Sequence, residues 1–121
     1  MEGVDGKDKI NGGKGDDKIK GEDGKDKIEG NQGNDQLEGG EGDDSLKGGK
    51  ENDEIQGDIG NDKLKGGECI DEMEGGEGAD SFVCDSFDKV IDFDSQEGDT
   101  ISGQCTFDDE SAANNQENTP R

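Results

Sequence analysis

The stretch Gly39–Lys47, GGEGDDSLK, decides how the rest of the chain is read. It holds three glycines, an aspartate at its sixth place (Asp44), and one aliphatic residue, Leu46, two places later. The same arrangement returns every nine residues from Gly3 to Val83. Apolar residues recur at Ile10, Ile19, Ile28, Leu37, Leu46, Ile55, Leu64, Met73 and Phe82. Two residues before each stands an aspartate: Asp8, Asp17, Asp26, Asp35, Asp44, Asp53, Asp62, Asp71 and Asp80. Seven residues before each stands a glycine: Gly3, Gly12, Gly21, Gly30, Gly39, Gly48, Gly57, Gly66 and Gly75. Three columns that hold without exception through nine repeats define a repeat array.

Each column has a physical meaning. Glycine also fills the second motif place in five repeats and the fourth in seven, so the three glycine columns hold 21 of the 23 glycines. Glycines so placed allow positive φ and close backbone approach, and GGxGxD reads as a tight turn with inward carbonyls. One apolar side chain between two polar ones, as in Ser45–Leu46–Lys47, suits a very short strand with one inward residue. Turn plus strand makes half a coil, and two halves make an 18-residue coil of a flattened solenoid. Asp8, Asp26, Asp44, Asp62 and Asp80 then stack along one edge, and Asp17, Asp35, Asp53 and Asp71 along the other. Carboxylates stacked at a strand spacing of about 4.8 Å cannot all stay charged without a counterion. A hard divalent cation between coils resolves this. Calcium, with six to eight carboxylate and carbonyl oxygens, matches what such a turn offers. No histidine or regular cysteine column points to a softer metal.

On these columns, GGxGxDxUx, the chain resembles the RTX (repeats-in-toxin, haemolysin-type) calcium-binding nonapeptide repeat over residues 3–83. The resemblance implies an all-β, right-handed parallel β-roll with two repeats per coil. It implies that each Ca2+ sits between consecutive coils, held by the motif aspartates of both. Backbone carbonyls of Gly12, Gly13, Gly15, Gly30, Gly33, Gly39, Gly40, Gly42, Gly57, Gly60, Gly75, Gly76 and Gly78 are the further ligands it implies. Up to about seven interior sites follow from the spacing rule. The resemblance also implies a secreted or extracellular setting, within a larger protein, and folding upon calcium binding.

Some repeats depart from the pattern. The full GGxGxD occurs only in Gly12–Asp17, Gly39–Asp44 and Gly75–Asp80. Val4, Glu22, Asn31 and Asp58 replace the second glycine, and Glu51 and Cys69 the fourth. Ile59 and Ile70 put aliphatic residues at turn places that are normally polar. Glu51 and Cys69 share an edge, so that edge is expected to bind calcium more weakly.

Composition bounds the rest. With 21% hydrophobic residues and a net charge of −22 over 121 residues, the chain cannot bury enough apolar surface to order itself unaided. Metal binding and folding are therefore expected to be one event. Strong acidity argues against nucleic acid or an anionic membrane as partner. There is no membrane-length apolar run and no visible signal peptide. The absence of histidine and of GxSxG or Walker motifs leaves no catalytic constellation, and no enzymatic activity is expected. A structural or adhesive spacer and a disordered acidic calcium buffer are the competing readings.

Past Val83 the nine-residue register stops. Ser81–Ser86 and Lys89–Asp94 read as two strand-like runs, Gln96–Asp99 as a turn and Thr100–Phe107 as a last strand. Residues 84–107 are expected to cap the open end of the solenoid, and residues 108–121 to form a disordered tail. Asp92, Asp94 and Asp99 imitate an EF-hand loop only superficially, because the closing glutamate is missing. Cys69, Cys84 and Cys105 have no zinc spacing; they read as small packing residues, with a Cys84–Cys105 bridge as the alternative.

Overall fold

In a computed structural model, which describes residues 2–3, 5–91, 93 and 98–107, the described residues form ten β-strands and no helix. Asp92, Asp94 and the tail at 108–121 lie outside the described residues. The strands are β1 (Lys9–Asn11), β2 (Lys18–Lys20), β3 (Lys27–Asn31), β4 (Gln36–Glu38), β5 (Ser45–Gly49), β6 (Glu54–Gln56), β7 (Lys63–Gly67), β8 (Glu72–Glu74), β9 (Ser81–Val90) and β10 (Thr100–Phe107). Each of the first eight begins immediately after a motif aspartate, where the glycine turn releases the chain into extended backbone.

Pairing is parallel throughout and, up to the pairing of β7 with β9, skips one strand, so residue i sits beside residue i+18: Ile28 beside Leu46, Leu37 beside Ile55. Odd strands form one layer and even strands the other. Turns from odd to even strands line one edge, and turns from even to odd strands line the opposite edge. Between the layers the apolar column fills a core one side chain wide, with Ile19, Ile28, Leu64, Met73, Phe82 and Val90 fully buried. This is the parallel β-solenoid that the repeat predicts.

The C-terminal segment differs from the expected pair of short strands. Ser81–Val90 is one continuous strand whose first residues pair with β7 and whose last pair with β8. It thereby joins the two layers at this end of the solenoid. The reason lies in the sequence: residues 84–87, CDSF, contain no glycine, so no positive-φ turn interrupts the strand. β10 then lies parallel on β9 with an irregularity between Gly103 and Cys105. Cys84 and Cys105 are joined by a disulfide across this step, while Cys69 is free and exposed.

The two edges tie their coils together differently. On the even-to-odd edge the N–H groups of Gly6, Gly24, Gly42 and Gly60 donate to the carbonyls of Asp23, Glu41, Ile59 and Glu77 in the next coil. On the other edge the N–H groups of Gln32, Lys50 and Glu68 donate back to the carbonyls of Gly13, Asn31 and Gly49. A Cβ at Gly42 would lie 2.2 Å from the Gly24 carbonyl oxygen, which explains why glycine dominates this place. Glu51 and Cys69 stand there nonetheless, at φ 71° and 73°. The substituted turns thus keep a positive φ, below the 93–128° of the glycines at this place, at a cost of about 1–2 kcal/mol each.

Candidate metal centre

The motif aspartates are the polar counterpart of the apolar column. Asp26, Asp35, Asp44, Asp53, Asp62, Asp71 and Asp80 are all buried. Each carboxylate reaches back one coil, where its Oδ1 accepts the backbone N–H of the aspartate before it. The links run Asp8 to Asp26, Asp26 to Asp44, Asp44 to Asp62 and Asp62 to Asp80, at 2.8–2.9 Å. On the opposite edge they run Asp17 to Asp35, Asp35 to Asp53 and Asp53 to Asp71, at 2.7–2.8 Å. The structure therefore brings the nine predicted aspartates together as two ladders, each rung contacting its neighbours.

Two further rungs escaped the nine-residue reading. The Asp71 N–H donates to Asp88 Oδ1 at 3.0 Å, and the Asp80 N–H to Asp99 Oδ1 at 2.8 Å. The regular backbone link recurs at both: Lys89 N–H donates to the Asp71 carbonyl and Thr100 N–H to the Asp80 carbonyl. Asp88 and Asp99 follow their predecessors after eight and eleven residues in place of nine, which hides them from a strict period. The signal that finds them is aspartate followed two places later by an aliphatic residue, Val90 and Ile101. Asp99 thus belongs to the ladder and not to an EF-hand-like loop.

The second carboxylate oxygen is the chemically telling one. Oδ2 of Asp17, Asp26, Asp35, Asp44, Asp53, Asp62 and Asp71 is buried without a hydrogen-bond partner. A charged oxygen left so is costly, because burial removes water and supplies nothing in exchange. Burial pushes the carboxyl of Asp44 up to about 7, Asp53 to about 6, and Asp62 and Asp71 to about 8. Asp26 and Asp35 are raised by the same cause. The hydrogen bond donated from the previous coil works in the opposite direction but does not win.

Carbonyl oxygens converge on the same places. A Cβ built at Gly39 would meet Asp44 Oδ2 at 2.6 Å and the Gly57 carbonyl oxygen at 3.0 Å, so both crowd one small space. Gly21 stands in the same relation to Asp26 Oδ2 and the Gly39 carbonyl, and Gly57 to Asp62 Oδ2 and the Gly75 carbonyl. Among the described residues no three His, Cys, Asp or Glu side chains cluster as a metal site. The donors come instead as one carboxylate per coil plus backbone oxygens. That all-oxygen set fits a hard cation of variable coordination such as calcium.

A family comparison decides what this arrangement is. The model of the RTX calcium-binding nonapeptide repeat, in four copies, matches residues 2–37 and 38–68, more than half of the chain. The chain belongs to the RTX calcium-binding nonapeptide repeat family. RTX repeats bind calcium, and the orphaned Oδ2 atoms of this RTX chain are where a cation would relieve the burial cost. The rungs at Asp71, Asp80, Asp88 and Asp99 lie beyond the matched segments and continue the same hydrogen-bond pattern. Searches of curated proteins and of solved structures returned no match. Among the described residues no helix is long and apolar enough to cross a membrane.

Proposed function

We propose that the chain is a calcium-dependent folding module of a secreted or extracellular protein, with calcium held between consecutive coils by the paired rungs of the two ladders. The observation that carries this is the run of buried Oδ2 atoms without partners. The ligands are the motif aspartates from Asp8 to Asp80, together with the carbonyls of the first motif glycines.

The nine aspartate-to-aspartate links, from Asp8–Asp26 through Asp71–Asp88 and Asp80–Asp99, define nine inter-coil positions. Two more ions are therefore proposed than the repeat spacing alone suggests. Without the ions the same carboxylates repel and resist burial, so the chain stays unfolded in low calcium. Binding free energy then appears as folding free energy.

The test is far-UV circular dichroism during a calcium titration with magnesium as control, paired with a count of bound calcium per folded chain. Cooperative gain of β-structure with calcium alone, at about nine ions, supports the reading. Asp88→Asn should lower the count by one while the β-signal persists. A spectrum that stays coil-like to millimolar calcium refutes the folding module, and a count of seven in the folded chain refutes the two added positions.

A further inference from the structure

The 18-residue coil sorts the surface charges in a way that the nine-residue repeat conceals. The third motif place forms the tip of each turn. On the odd-to-even edge the tips are Lys14, Gln32, Lys50 and Glu68; on the opposite edge they are Asp5, Asp23, Glu41, Ile59 and Glu77, all exposed. At the tips one edge thus carries two lysines and one acid, with Asp16 and Glu51 beside them, and the other carries four acids around Ile59, with Lys7 and Lys25 beside them. Beside the lysine edge runs an open groove of about 670 Å³ along the solenoid axis, whose lining includes Lys14 and Lys50 on one side and Lys47 and Lys65 on the other. Its floor includes Gly49 and Gly67, which add no side chain, and Glu68 is the one acid on its wall.

Both features carry internal repulsion. Lys47 and Lys65 are register neighbours on adjacent strands, and like charges so placed destabilise a sheet. At the acidic edge Asp58 lies against Glu38, with Glu74 near enough to oppose its ionisation. Groove and ridge share the coil-to-coil spacing, the ridge presenting one tip per coil and the groove up to two lysines per coil.

We propose that the acidic ridge of one copy of this chain docks in the lysine groove of a second copy, so that calcium-loaded rolls associate side by side. Charge complementarity chooses the occupant, and commensurate spacing fixes how it lies. Donor and acceptor surfaces differ, so the contact is heterologous and extends into open rows in place of closing as a dimer. The inference rests on the calcium reading above. Nine divalent ions take the formal charge from −22 to about −4, removing the long-range repulsion that would keep copies apart.

The experiment is sedimentation velocity in calcium over a range of concentrations, with circular dichroism on the same samples. The parent chain should form a concentration-dependent series of species that high salt disperses. A groove variant (Lys47→Glu, Lys50→Glu, Lys65→Glu) and a ridge variant (Asp23→Lys, Glu41→Lys, Glu77→Lys) should each sediment as monomers. The ridge variant is informative because its net charge is closer to zero, so an association driven by charge neutrality alone would strengthen. Mixed, the two variants retain one intact groove and one intact ridge, and should give a 1:1 complex and nothing larger. A parent chain that is folded by circular dichroism yet monomeric throughout overturns the docking while leaving the calcium module intact. A chain that calcium does not fold overturns both. Ridge variants that associate as the parent does also overturn the docking.

Discussion

Protons should replace calcium. Asp62 and Asp71 are buried on opposite edges, and burial raises both carboxyls to about 8, against 3.8 for an exposed aspartate. The folded calcium-free chain therefore holds about two more protons than the unfolded chain between roughly pH 5 and pH 7, and fewer towards pH 8. A folded-state pKa above the unfolded value means that stability is greatest at low pH and falls as pH rises through the folded pKa. Two protons correspond to a slope of roughly 2.7 kcal/mol per pH unit. From pH 8 to pH 5, with the groups half deprotonated at the upper end and their charge partly screened by solvent, the gain is on the order of 5 kcal/mol, comparable to the whole stability of a small domain. Asp44, at about 7, and Asp53, at about 6, add to the effect at the lower end of the window. The assay is far-UV circular dichroism of the chain in chelator, titrated from pH 8 to pH 5 and stopped above the pI of about 4.1, where the chain would precipitate. β-structure should appear as pH falls. In saturating calcium the sign reverses, since protons then compete with the metal for the same oxygens. A calcium-free spectrum that stays coil-like and unchanged down to pH 5 would refute the argument that buried ladder charge is what unfolds the apo chain.

Three further outcomes follow from packing and backbone geometry. Leu46→Ala removes a fully buried side chain between Ile28 and Leu64 in a core one residue wide, at a cost of about 2–5 kcal/mol, and the calcium midpoint for folding should rise accordingly. Glu51→Gly and Cys69→Gly should each stabilise by about 1 kcal/mol by relieving positive φ, and Gly42→Ala should do the reverse; calcium titration of all three variants checks the signs. Reducing the Cys84–Cys105 bridge, which spans 21 residues, should cost about 3 kcal/mol at the C-terminal end, read as faster proteolysis of β10 with the preceding coils still protected.

The fold was legible because its determinants are local and strictly periodic. Nine residues carry a turn, a rung and one core side chain, so Asp44 and Leu46 imply their own surroundings. The departures sit where the period changes. Asp88 and Asp99 were hidden because their intervals are eight and eleven residues and no glycine turn of the motif kind precedes Asp88. The merging of two expected strands into Ser81–Val90 has the same origin, since a chain without glycine has no cheap way to turn. The lysine groove was invisible for another reason: Lys14 and Lys50 become neighbours of Lys47 and Lys65 only when the chain is folded at eighteen residues per coil.

Every ladder bond points the same way along the chain. The Oδ1 of a carboxylate in one coil grips the amide of the coil before it, while its own amide is gripped by the coil after it. Growth from the N-terminal end is therefore self-templating: a finished coil presents a ready amide, and the next stretch of chain needs only to arrive, take up its ion and close. Begun at the other end, growth meets the carboxylate already in place and the arriving coil brings the amide. The ladder is thus polar, and its two ends offer a newly arriving coil different groups to bond.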